Sequence, residues 1–195
     1  MTKNILTIAL AALLLCPSTL AQAGAAAPAA TDTEPTLAET REDMFKKLKE
    51  ISDKLEGAEK HHFNLANSNY AFITTVRTVQ RDVGKAITAC GENNPEMKTA
   101  LDTRFGQWNT AVDPVMSEAQ GHLDNMIIAQ DYAAPEDIKG VFKVMDEARH
   151  KAESEIEKIP VTTPEACQYL IDKMDETQAS MIGLLRQTLI STPAK

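Results

Sequence analysis

The sequence predicts an all-α protein, an antiparallel (up-down-up-down) four-helix bundle with a long N-terminal helix. Three observations predict it. Apolar residues recur in alternating three- and four-residue steps over long stretches, prolines stand just inside capped helix starts, and no stretch alternates with the period of two that a strand requires.

The first segment, 37–90, opens on Thr36-x-x-Glu39, which has the form of a capping box. Its apolar seam runs Met44, Leu48, Ile51, Leu55, Ala58, His62, Leu65, Asn69, Phe72, Val76, Val79, Val83, Ala86, Cys90. That is a heptad pattern, the signature of coiled-coil packing between nearly parallel axes. Gly91 reads as its stop.

The second segment, 95–131, follows Asn94-Pro95-Glu96, a capping Asn before a proline at the first helical position. Its core face is Met97, Leu101, Phe105, Trp108, Val112, Val115, Ala119, Leu123 and Met126. Asp113-Pro114 should kink or split it. The third, 136–159, opens on Ala134-Pro135-Glu136 and stops before Pro160, with Ile138, Val141, Phe142, Met145, Ala148, Ala152, Ile156 and Ile159 on one face. The fourth, 164–190, opens on Thr163-Pro164-Glu165 and repeats the heptad through Cys167, Leu170, Met174, Thr177, Met181, Leu184 and Thr188. Short connections make sequential helices antiparallel neighbours.

In that topology Cys90, ending the first helix, and Cys167, in the first turn of the fourth, meet at the same end of the bundle. Both sit on core seams, so the sequence predicts one structural disulfide between them. No C-x-x-C or partnering His gives either thiol a catalytic setting.

Ahead of these helices, Lys3, an apolar run from Ile5 to Leu15 and the small-residue sequence Ala21-Gln22-Ala23 follow the order of a cleavable signal peptide, expected over 1–23. The run is shorter than the roughly 20 residues of a membrane span. Leu15 before Cys16 argues against lipidation, so no stable membrane anchor is expected. Residues 24–35, mostly Ala, Pro and Thr, read as a flexible tether, and 36–195 as the helical domain. The expected destination is the bacterial periplasm or medium. Against 20 Lys and Arg stand 28 Asp and Glu, a formal net charge of −8, and no basic patch stands out. Phosphate backbones and anionic membrane surfaces repel such a chain, which argues against nucleic-acid partners.

Two Glu-x-x-His motifs, Glu59 to His62 and Glu147 to His150, suggest a di-metal carboxylate bundle. Counted from a common end at 1.5 Å per residue, the two would differ in height by about 30 Å, so they do not pair. A smaller constellation remains. His62 occupies a seam position, His122 falls at the same height on the next helix, and Glu118 shares its face. Two imidazoles and a carboxylate could hold Zn or Cu. Asn69 on the same seam favours the plainer reading of polar core residues that set register. The methionines are spaced as core filler, no C-x-x-C-H would attach haem, and no hydrolase spacing occurs.

The third and fourth segments are much shorter than the first. A continuous first helix would therefore carry Met44, Leu48 and Ile51 past the bundle with their stripe uncovered, unless the chain breaks near Gly57 or Asn67-Ser68-Asn69. An uncovered stripe needs a partner. The functional expectation is an exported, non-catalytic helical protein acting through protein contacts as a scaffold, inhibitor or chaperone-like module, with a protein partner or self-association through the N-terminal arm. The alternative is a periplasmic metal- or small-ligand-binding protein using His62 and His122.

Overall fold

The computed structural model describes residues 34–190. The expected leader at 1–23 and most of the 24–35 tether lie outside the described residues. Five helices follow in order: α1 (Leu37–Ser52), α2 (Gly57–Asn93), α3 (Lys98–Ala129), α4 (Pro135–Ser154) and α5 (Pro164–Ile190). The expectation of a four-helix, coiled-coil bundle is therefore corrected. α2, α3 and α5 pack on one another as a three-helix core, and α4 takes α1 as its main neighbour.

The first difference is a break in the long helix. α1 ends at Ser52, and Leu55 turns inward and is buried. Gly57 then starts α2 with φ of +51°, a region that costs other L-residues about 1 kcal/mol. Leu55 keeps the heptad spacing while serving as the anchor of a turn, which is why the pattern runs through the break unmarked. Reversed in this way, α1 sets Leu48 and Ile51 against the core cluster and leaves Met44 half-buried. The arm's stripe is thus covered largely within the chain, although α1 contributes no fully buried side chain.

The second difference concerns α4. It ends at Ser154, whose hydroxyl donates to the Lys151 carbonyl, and a last tight turn from Ile156 N–H to Glu153 O leads out of the helix. Ile156 and Ile159, expected on its core face, are instead 61% and 75% exposed. α4 runs parallel to α2, since Tyr70 meets Asp146 and Arg81 meets Glu153. Stacked Tyr70 and Phe142 rings, 4.0 Å between centroids, bridge the two helices.

The coiled-coil register of α2 is also corrected. Its buried face is Phe63, Ala66, Asn69, Ile73, Thr74, Val76, Ile87 and Cys90, while Val79 and Ala58 are exposed. A straight helix drifts about 20° per heptad, and partners on more than one side bury a wider stripe than an a/d seam. α5 drifts likewise, burying Leu185 where the heptad chose the exposed Leu184. α3, the central helix, matches its expected face closely, with Trp108 1% exposed. Pro114 lies inside it without splitting it.

Three of the four expected helix starts fall where the sequence placed them, two of them with a side-chain cap and the α4 start at Ala134-Pro135 without one. Thr36 and Glu39 form the reciprocal box, Pro135 opens α4, and Ala166 N–H donates to Thr163 Oγ1 at 3.3 Å. Asn94 behaves differently. α3 begins only at Lys98, and the buried Asn94 amide donates to Cys90 O at 3.1 Å, Thr162 O at 2.9 Å and Cys167 Sγ at 3.5 Å. It ties the end of α2 to the 155–163 connector and the start of α5. The Cys90–Cys167 disulfide is formed at this corner, with Cα atoms 5.8 Å apart.

Two outcomes follow for stability. Gly57→Ala should cost about 1 kcal/mol by urea unfolding, whereas Gly121→Ala, mid-helix with open space around the new methyl, should gain about 0.5–1 kcal/mol. Equal effects would contradict the assigned turn. Replacing both cysteines with Ser releases a 77-residue separation and should cost up to about 4–5 kcal/mol by chain entropy. An unchanged denaturation midpoint would show that the bond adds nothing to the corner.

Candidate functional site: the cleft between α2 and α4

Beyond the Tyr70–Phe142 stack, the residues that bind α4 to α2 are polar, and they recur at helical spacing. On α2, Thr74, Arg77, Thr78 and Arg81 stand at i, i+3, i+4 and i+7, which places them on one face. On α4, Asp146, Arg149 and Glu153 follow the same rule. Tyr70 Oη donates to Asp146 Oδ2 at 2.5 Å, and Arg149 reaches Asp146 Oδ1 and Glu153 Oε1 at 3.1 Å each. Arg81 Nη2 donates to Glu153 Oε2 at 2.9 Å and also to Asp82, which pairs with Lys158 of the connector. One chain of charge-assisted hydrogen bonds thus runs from Tyr70 to Lys158.

Its electrostatics favour the ionised forms. Burial pushes the Glu153 carboxyl up, but hydrogen bonds from Arg81 and Arg149 outweigh it and hold it below its ordinary value. The Lys158 hydrogen bond does the same for Asp82. Burial and Asp146 both raise the Tyr70 phenol, so it remains a neutral donor.

Two openings flank this chain. Between Arg81 and Pro160 lies a groove of about 550 Å³ lined by Lys85, Ala86, His150, Ile156, Lys158 and Ile159, among others. A smaller one, of about 210 Å³, is lined by Thr74, Arg77, Thr78, Arg81, Asp146 and Arg149. Nothing in either is arranged as a nucleophile and base. The Ser154 hydroxyl is engaged with a backbone carbonyl, and His150 Nε2 receives an N–H from Arg149, 2.9 Å away.

The residues singled out as metal ligands lie elsewhere and are not gathered. His62 Nδ1 is 2.9 Å from Tyr132 Oη. His122 is half-buried, with an enclosed Nε2 that has no partner among the described residues, and Glu118 is exposed. No group of three or more His, Cys, Asp or Glu among the described residues could hold a metal ion. Glu147 lies exposed beside Lys143. Sequence reasoning missed Arg77, Arg81 and Arg149. Their helical spacing was visible, but a polar stripe reads as a solvated face until a second helix is laid against it.

Among the described residues no helix is long and apolar enough to cross a membrane. Comparison with known proteins finds no matching family model, no similar curated protein and no similar solved structure.

The His62–Tyr132 pair carries a pH dependence. Burial, then the neighbouring His61, lower the His62 imidazole below its ordinary 6.5, and burial followed by Glu59 pushes the Tyr132 phenol up to about 12. In its Nε2–H tautomer the neutral ring accepts at Nδ1 from the phenol, a hydrogen bond that the protonated ring loses. Because the folded pKa is depressed, this stabilisation is present above pH 6.5 and is lost as pH falls through the lower folded value. His62→Gln should therefore flatten part of the decline in urea midpoint between neutral and mildly acidic pH. An undiminished decline in that variant would place the titrating group elsewhere.

Proposed function

We propose that this chain is an exported, non-catalytic helical domain that docks a protein partner on the connector between α4 and α5. The observation that carries this reading is the side-chain exposure of that connector. Ile156, Ile159 and Val161 are 61%, 75% and 69% exposed within a few residues of one another, beside the groove that reaches Pro160 and Ala86. Covering such side chains is worth about 1.5–3 kcal/mol each before the cost of association.

Preorganisation supports the same reading. The Lys158–Asp82 pair, the Asn94–Thr162 hydrogen bond and the disulfide at Cys167 hold the connector, so a partner need not order it. Lys85, which lines the groove, has no ion pair among the described residues. The fitting partner presents an apolar side chain next to a carboxylate. Formation of Cys90–Cys167 supports an oxidising compartment, hence export to the periplasm or medium.

A photocrosslinking residue at position 159 or 161, expressed in the host, should yield an adduct of one defined mass. Ile156→Ser with Lys85→Glu should remove that adduct without altering the melting temperature, since both side chains are exposed. Equal adducts from control positions Glu118 and Asp124 on α3, or none from the connector, would overturn the docking surface. Recovery of the protein in the cytoplasm with reduced thiols would overturn the export half.

A further inference from the structure

Three arginines converge where two helices approach, and their carboxylates do not account for all of them. Arg149 is met by Asp146 and Glu153, and Arg81 by Glu153 and Asp82. Arg77 has no carboxylate among the described residues. Its one hydrogen bond goes from Nη2 to Gln120 Oε1 at 2.9 Å, leaving most of its five N–H donors unused. The enclosed Nε–H of Arg149 has no acceptor among the described residues either. Inside the small opening the only carboxylate is Asp146, and Glu153 stands at its edge. Counted with Asp82 and its partner Lys158, three guanidiniums and one ammonium stand against three carboxylates, Asp146, Glu153 and Asp82, which leaves one positive charge uncompensated in a chain whose formal net charge is −8.

We propose that this opening binds a tetrahedral oxyanion of the phosphate class, either free or carried as a monoester on a ligand. The space, about 210 Å³, suits a group of that size rather than a large organic molecule. Guanidinium forks recognise phosphate oxygens in pairs, and a tetrahedral ion offers oxygens toward both helices at once, which a planar carboxylate does not. Thr74 and Thr78 line the same space, and the Thr74 hydroxyl donates to the Tyr70 carbonyl at 2.9 Å. Thr78 is committed only by a long 3.5 Å contact to Glu153 and by a 3.3 Å hydrogen bond accepted from Arg149, so its hydroxyl hydrogen is available to an incoming oxygen. Binding would neutralise the surplus charge and give Arg77 the acceptor it lacks. Arg77, Thr74, Thr78, Asp146 and Arg149 lie outside the groove beside the connector, and Arg81 lines both openings.

The test is calorimetric titration of the intact, oxidised protein at neutral pH, with inorganic phosphate in one arm and a phosphoserine peptide in the other. Ionic strength is held constant with chloride. Saturable binding of one equivalent is expected in at least one arm, weakened about tenfold or more by Arg77→Gln. Arg77 is exposed and bonds only to Gln120, so that variant should keep the wild-type melting temperature, whereas Arg149→Gln would disturb the Asp146–Glu153 contacts. Arg186→Gln, an exposed arginine of α5 that lines neither opening, should bind as the wild type does. Tighter binding of inorganic phosphate identifies a free ion, and tighter binding of the peptide identifies an esterified one. No saturable heat in either arm, or equal affinity in Arg77→Gln, would overturn the site.

Discussion

Asn94 has a single side-chain amide, and three parts of the chain converge on it: the last turn of α2, the connector at Thr162 and the sulfur of Cys167. A buried amide left without partners would cost about 1–3 kcal/mol, so its satisfaction fixes where each of these parts must lie. The disulfide then makes the arrangement covalent. With that corner closed, α5 has to descend beside α3, the 155–163 connector has to pass over the end of α2, and α4 is confined to the outer side of α2. Asn69 makes the matching connection lower down, donating to the Thr188 carbonyl from within the core.

The sheath around that core is held by different physics. α4 approaches α2 through long side chains, one aromatic stack and a relay of ion pairs, where the three core helices use close aliphatic packing around Trp108 and Val112. Ion pairs of this partly exposed kind contribute modestly and are screened by salt. The cleft is consequently both a seam and a polar surface, which is why its two openings carry charge on their walls.

Legibility in the sequence divides along the same line. The central helix α3 could be read almost residue by residue, because a helix packed on several sides buries a broad stripe whose period dominates any local exception. The disulfide was legible because two half-arguments, compartment and end-of-helix position, chose the same pair. The break at Gly57 was visible only as an option, since Leu55 keeps heptad spacing whether it sits in a helix or anchors a turn. The overrun of α4 has a similar cause. Ile156 and Ile159 continue the apolar period beyond the point where the Ser154 hydroxyl and the Glu153 carbonyl release the chain. The three arginines are spaced for one face on each helix, but which helices face each other is a tertiary fact that spacing does not contain.

The position of the connector inside the ring closed by Cys90 and Cys167 has one more consequence. Residues 155–163 are exposed for most of their length and contain Lys158, a natural point of attack for a protease. A single backbone cut there opens the main chain without releasing anything, because the C-terminal piece still carries Cys167 and stays joined to α2. α5 keeps its place against α3, and the nicked molecule shows two fragments only once its thiols are reduced. The domain can therefore lose the continuity of its most exposed loop and remain one covalent object, a tolerance set by where the ring closes rather than by how tightly the loop is held.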